Sequence, residues 1–327
     1  MARIGLIARL PLLVGGVIAA LLPVPGFAQD EDAETPDLHA LEEVPELVAT
    51  PRGIPIKLRL RSDTRFVVGS DFGTSDADLY WPRGNLQIGI PLSKRAAARL
   101  RMSGGAAIYD FDGTTNLFGV APSSRQPFDN LYSGSLAIEA RYRMTESWSL
   151  FTQGFVASRW EDGATFGDAI SGGGGLAIGF RIPDRFELIV GGGLKSRLDR
   201  SSPRPYPLVD LEWMISDAWK FRIHGPGAVL EYRFNPACKI FLRGQMMTRR
   251  YRLDNRVGPV GRGTVRDRQI PVGFGIKWAA NRNFRIGASV GVMAQHKIKV
   301  RNSNNDTIGS ISSDPAPYFE VRIDLRP

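Results

Sequence analysis

Leu136-Ala137-Ile138-Glu139-Ala140-Arg141-Tyr142-Arg143-Met144, followed by Thr145-Glu146-Ser147 and a restart at Trp148, decides the fold. Leu136, Ile138, Ala140, Tyr142 and Met144 fall on one parity. Ala137, Glu139, Arg141 and Arg143 fall on the other. A period of two places these sets on opposite faces of a β-strand. The three polar residues that follow are too few for any connection but an antiparallel hairpin.

The same unit recurs along the chain. Leu86, Ile88, Ile90 and Leu92 turn through Ser93-Lys94-Arg95 into Ala98, Leu100 and Met102. Leu176 to Ile182 turns through Pro183-Asp184-Arg185. Val209 to Ile215 turns through Ser216-Asp217-Ala218, Ala228 to Phe234 through Asn235-Pro236-Ala237, and Val272 to Trp278 through Ala279 to Asn283. A first strand begins near Ile56, and a last one carries Phe319, Val321, Ile323 and Leu325. The expectation is an all-β chain: one antiparallel, up-and-down transmembrane β-barrel of about fourteen strands, with twelve as the other count. His224-Gly225-Pro226-Gly227 reads either as a loop or as a bulge within one strand. Each strand is read at about the 10 residues a tilted membrane strand needs. Tight turns on one side alternate with longer polar stretches at 70–83, 111–131, 160–172, 253–268 and 301–315 on the other, which is the outer-membrane pattern. An even strand count puts both ends of the barrel on the tight-turn, periplasmic side.

The six tryptophans fit such a barrel. Trp148, Trp213, Trp219 and Trp278 adjoin tight turns, and Trp81 and Trp160 adjoin long loops. Amphipathic rings favour the two water–lipid boundaries, so the set is expected to form aromatic girdles. Closure is expected by pairing the first strand with the last. One register sets Lys57 against Asp324 and Arg61 against Glu320, with Arg59 against Arg322.

Three segments divide the 327 residues. Residues 1–28 have a basic start (Arg3, Arg9), an apolar stretch and a small-residue site at Gly26-Phe27-Ala28, the marks of a secretory signal. Residues 29–51 hold eight acids and no Lys or Arg, and read as an acidic periplasmic spacer. Residues 52–327 are the barrel, with 40 basic residues against 25 acidic ones. These bases alternate with apolar residues and form no exposed run, so nucleic acid is not the expected partner. Outer-membrane lipid, and the barrel-assembly machinery during biogenesis, are. Cys238 is the single cysteine, so no internal disulfide forms, and it is expected on the outward face beside Ile240 and Leu242.

At the carboxyl-terminal half the chain resembles a known group. Tyr232-Arg233-Phe234-Asn235, Arg250-Tyr251-Arg252-Leu253-Asp254, Asp267-Arg268 with Pro271-Val272, and Asp314-Pro315 are similar to a family of bacterial outer-membrane β-barrels of unknown function. The resemblance runs from Trp219 onward. It implies fold and location and brings no catalytic residues. Outer-membrane barrels commonly end on an aromatic residue; this chain departs from that, ending Leu325-Arg326-Pro327.

No enzyme constellation stands out around His39, His224 and His296, and no cofactor or metal is implied. The candidate site is the lumen. The non-apolar parity carries Arg59, Arg61, Arg99, Arg101, Arg141 and Arg143 on the first four strands, expected to form one basic wall. Acids on the same parity include Glu139, Glu187, Asp210, Glu212, Glu231, Glu320 and Asp324, too few to neutralise all the inward bases. Gly172 to Gly175 faces Gly193 and Gly191 across a hairpin. That smooth patch serves barrel curvature or receives an inward-folded loop such as 111–131. The functional expectation is a passive pore for small polar or anionic solutes. A closed structural or surface-binding barrel, plugged by its charges, is the second, and a soluble exported β-protein the third.

Overall fold

The computed structural model describes residues 56–73, 75–112, 128–255 and 261–326, with the side chains of Arg200 and Ser201 left aside. The signal and spacer expectations and most of the 111–131 loop lie outside these residues. The described chain is a closed barrel of fourteen antiparallel strand positions. Its strands in order are β1 (Lys57–Asp71), β2 (Asp76–Pro91), β3 (Ala96–Asp112), β4 (Leu131–Arg143), β5 (Trp148–Glu161), β6 (Ile170–Ile182), β7 (Phe186–Arg197) and β8 (Arg200–Met214). There follow β9 (Trp219–His224), β10 (Gly227–Arg233), β11 (Cys238–Gln245), β12 (Met247–Arg252), β13 (Thr264–Ala279), β14 (Phe284–Arg301), β15 (Thr307–Ser313) and β16 (Ala316–Leu325). Sixteen segments make fourteen positions because two positions are interrupted. β12 extends β11 along β13 in one register, from Gly244 opposite Val272 to Met247 opposite Gln269. β15 and β16 both pair with β14.

The pleat sorts the side chains as the alternation requires. Leu136, Ile138, Leu176, Ile178, Phe274 and Ile276 are exposed on the outside, while Glu139, Ala177 and Phe241 on the other parity are buried. So many large exposed apolar residues would make a soluble protein aggregate; facing hydrocarbon, they are in their preferred solvent. Asp184, at the tip of the β6–β7 turn, takes a positive φ of 58°.

The ring closes by β1 on β16, four residues away from the register expected above. Arg61 faces Asp324, Asp63 faces Arg322, and Arg65 faces Glu320. The shift removes the like-charged Arg59–Arg322 pair and makes all three pairs attractive, each contributing roughly 0.2–1 kcal/mol.

The strands are longer than expected. β1, β2, β3 and β14 have 15, 16, 17 and 18 residues, and between β1 and β2 the Phe72 N–H donates to the Ser75 carbonyl at 2.9 Å. The ladders continue beyond the membrane because their inward residues there, among them Val67, Leu79, Tyr109 and Ile298, still have a core to enter. Among the uninterrupted positions β9 and β10 are the exception, with six and seven residues. His224-Gly225-Pro226-Gly227 is a turn between them, with Gly225 at φ 48°.

Candidate functional site: the lumen

The periplasmic half of the lumen is lined by ion pairs grouped around single acids. Glu231 takes Arg222, Lys239 and Lys277 at 3.3, 3.1 and 2.7 Å. Glu320 takes Arg65, Arg243 and Arg322 at 2.7, 2.7 and 3.2 Å. Asp324 is paired with Arg59 and, at 3.5 Å, with Arg61. Glu139 is paired with Arg101 and, at 3.6 Å, with Arg99. Arg141 reaches across to Glu187 at 3.2 Å and to the hydroxyl of Ser149. Four of the six arginines singled out above thus pair with an acid on a neighbouring strand, Arg141 pairs with one three strands away, and Arg143 sits exposed at the rim. The spacing of two along each strand puts acids and bases on the same inward face, so Glu231 on β10 meets Arg222 and Lys239 on both adjoining strands, and Glu139 on β4 meets Arg99 and Arg101 on β3.

The extracellular half is different in kind. Trp81, expected in the girdle, is buried in the lumen instead. Its ring meets Arg249 at 3.7 Å, Arg83 at 4.2 Å and Arg65 at 5.1 Å. Its odd parity matches that of the inward residues Leu79 and Gln87, and local loop position gave no hint of this. Trp148, Trp213 and Trp278 are about half exposed on the outer surface, and Trp160 and Trp219 are partly covered. Above Trp81 an aromatic core fills the lumen. Tyr109 stacks on Phe111 at 5.6 Å, and Phe128 stands edge-on to both. Phe111 and Phe128, at the two ends of the 111–131 stretch, are therefore anchored inside.

β12 belongs to this plug. Met247, Thr248, Arg249, Arg250 and Tyr251 are all buried, although a wall strand would leave alternate residues exposed. Its tip pairs in parallel with β5 on the opposite arc, Arg252 against Trp160. Glu161 fixes the same junction, accepting from the backbone N–H groups of Asp129 at 2.7 Å and Asp254 at 2.8 Å. The main apolar core joins β12 and its neighbours to β1–β4, and none of its members comes from β6–β10. A second, smaller core of Phe151, Ala177, Ile189, Tyr206 and Leu208 lies along β5–β8. β12 thus divides the upper lumen in two. Its inward fold left one sign in the sequence: Met246 to Tyr251 mixes apolar and charged residues on both parities, as the upper parts of β2 and β13 also do.

The glycine patch is occupied by side chains of its own wall. A Cβ at Gly179 would stand 2.6 Å from the Phe151 ring, and one at Gly193 2.6 Å from Tyr206. A Cβ at Gly175 would stand 2.9 Å from Leu208.

Two histidines have acidic partners that spacing did not reveal. His224 Nδ1 lies 2.7 Å from Asp210 Oδ1. His296 Nε2 lies 3.0 Å from Asp267 Oδ1 and 3.1 Å from the Tyr109 hydroxyl. Ser313 occupies the position opposite His296 on β15. No hydrogen bond joins them, and His296 is fully buried, so this group offers a substrate no approach. It reads as a polar tie within the plug.

Fold and lumen together define an outer-membrane β-barrel, with no helix long enough to span a membrane among the described residues. The chain belongs to the family described as a domain of unknown function, DUF6268, whose model matches residues 84–326. No curated protein matches it. Among solved structures it is similar to an outer membrane channel from Pseudomonas putida F1, with 9% identity, 85% of this chain and 97% of that chain covered, and a TM-score of 0.46. It is also similar to the Pseudomonas putida toluene transporter TodX, with 10% identity, coverage of 90% and 95%, and a TM-score of 0.45. OmpT of Vibrio cholerae matches with 12% identity, coverage of 86% and 99%, and a TM-score of 0.39.

Proposed function

We propose that this outer-membrane barrel is closed to free diffusion along its axis, its lumen plugged by its own side chains. The observation that supports this reading is β12, buried on both faces and packed with Tyr109, Phe111 and Phe128 across the extracellular half. Below it, the grouped ion pairs of Glu231, Glu320, Asp324 and Glu139 hold the long basic side chains against the wall. Fourteen strands lie between the eight that leave room only for side chains and the sixteen that leave a channel, so the filling decides. The same reading takes residues 1–28 as a removed signal, 29–51 as a periplasmic spacer, and the outward tryptophans as interface anchors. Insertion would be by the barrel-assembly machinery.

The test is single-channel recording on the refolded protein in planar bilayers. Brief, small openings or none are expected; steady porin-like conductance would overturn the closed reading. A passive pore for small anions is the second reading, favoured by the excess of inward bases over acids. It requires anion-selective current, read from the reversal potential in a salt gradient.

A further inference from the structure

We propose that the wall between β8 and β12 is a lateral portal, through which a small, mainly apolar molecule passes between the outer leaflet and the apolar inner face of β8. The observation is a gap in the ladder. β8 pairs with β9 only over Asp210 to Met214, and β9 ends at His224. Above that point no strand among the described residues pairs with the free side of β8, because β12 follows β13 and β5 instead.

The height of the gap sets it in lipid. Six residues of β9 at ~3.3 Å each, tilted by about 40°, rise about 15 Å from Trp219 at the periplasmic boundary. The apolar band of such barrels is about 25 Å tall, so the opening begins near mid-bilayer and extends through the outer leaflet. The Gly225 N–H donates to the Val209 carbonyl and Met246 to the Pro226 carbonyl, closing the lower rim. Asp199 closes the upper rim, pairing with Arg250 at 3.6 Å, while Arg252 donates to the Leu198 carbonyl at 2.7 Å.

An open strand edge in hydrocarbon is costly, since each unpaired N–H loses its water. The sequence of β8 removes those donors. Because the Val209 carbonyl points to the β9 side, the backbone groups of residues 207 and 205 point there as well, and residue 203 follows at the register shift near the top of β8. All three are proline and have no N–H. Prolines at alternate positions would break a wall strand paired on both sides; on this one edge they keep it from pairing. Pro203, Pro205 and Pro207 are exposed, whereas Tyr206 and Leu208 between and beside them face inward onto Phe151 and Phe155. An apolar molecule crossing the edge therefore meets an apolar surface. At its polar margin Gln153 donates to the Tyr206 hydroxyl at 3.0 Å, and Lys195 lies 5.6 Å from the Tyr206 ring.

Brominated acyl chains serve as the apolar probe. In the Cys238→Ser background a bimane reporter is placed at Tyr206→Cys or, separately, Leu208→Cys. Each full chain is refolded into vesicles of dibrominated phosphatidylcholine, with the heat-dependent gel shift certifying the fold. Val209→Cys reports the lipid-facing surface and Ala137→Cys an inward site on the closed wall. Quenching at 206 and 208 close to that at 209 is expected. Quenching no greater than at 137 would overturn the portal. Quenching by aqueous iodide but not by bromolipid would overturn it too, since the inner face of β8 would then open to water. Conductance bears on the closed axis alone, so the two proposals fail separately.

Discussion

Ile138 and Glu139 are neighbours in sequence and stand on opposite sides of the wall. Ile138 is exposed to lipid, and Ile138→Arg is expected to destabilise by about 2–4 kcal/mol at mid-bilayer. From alternation alone, Glu139→Gln would be mild. The structure changes that expectation, because Glu139 is fully buried and neutralises Arg99 and Arg101. Removing the charge leaves two cations without their shared acid, a loss of about 3 kcal/mol. Urea unfolding in lipid vesicles would measure both, and a negligible effect of Glu139→Gln would mean that water screens the site. Trp81→Ala is expected to cost about 3–5 kcal/mol in the same assay, since the ring is buried beneath three guanidinium groups. A lipid-interface tryptophan would cost far less.

At the scale of elements, the β6–β7 hairpin gives a paired test. Gly192 faces outward with room for a methyl group, its nearest neighbour the Tyr206 carbonyl at 3.6 Å. Gly193 faces inward, where a Cβ would meet the Gly174 carbonyl oxygen as well as the Tyr206 ring. Gly193→Ala should therefore cost about 1–3 kcal/mol and Gly192→Ala close to nothing. Equal midpoints in urea would mean that the patch is a bend with no packing role. Most wall strands were legible because one face meets lipid and the other does not, which writes a period of two into the sequence. β12 was not legible as a plug. It continues the register of β11 on β13, so its local pattern carries a strand signal, while its inward course depends on Trp160 and Glu161 far away in sequence. The three prolines of β8 were a readable sign of an edge, but only against a strand whose neighbour stops short.

For the whole molecule, heating should shift the mobility of the folded protein on a gel, and the mature chain should fractionate with outer membranes. Any residual current in bilayers is expected to prefer anions, and to lose that preference when Arg101 and Arg141 are replaced together by Gln. A cation-selective reversal potential would contradict the basic excess. By itself the sequence determined an antiparallel barrel of about fourteen strands, with twelve as the other count, the two faces of most of those strands, and the charges lining its lower lumen. Those follow from alternation, turn length and the need to satisfy every backbone group within a membrane. Only the tertiary structure decided the closing register, the partners of each charge and the plugged upper lumen. Each depends on which distant strands meet, and pairing across a ring is set by the closure of the whole sheet and not by any one segment.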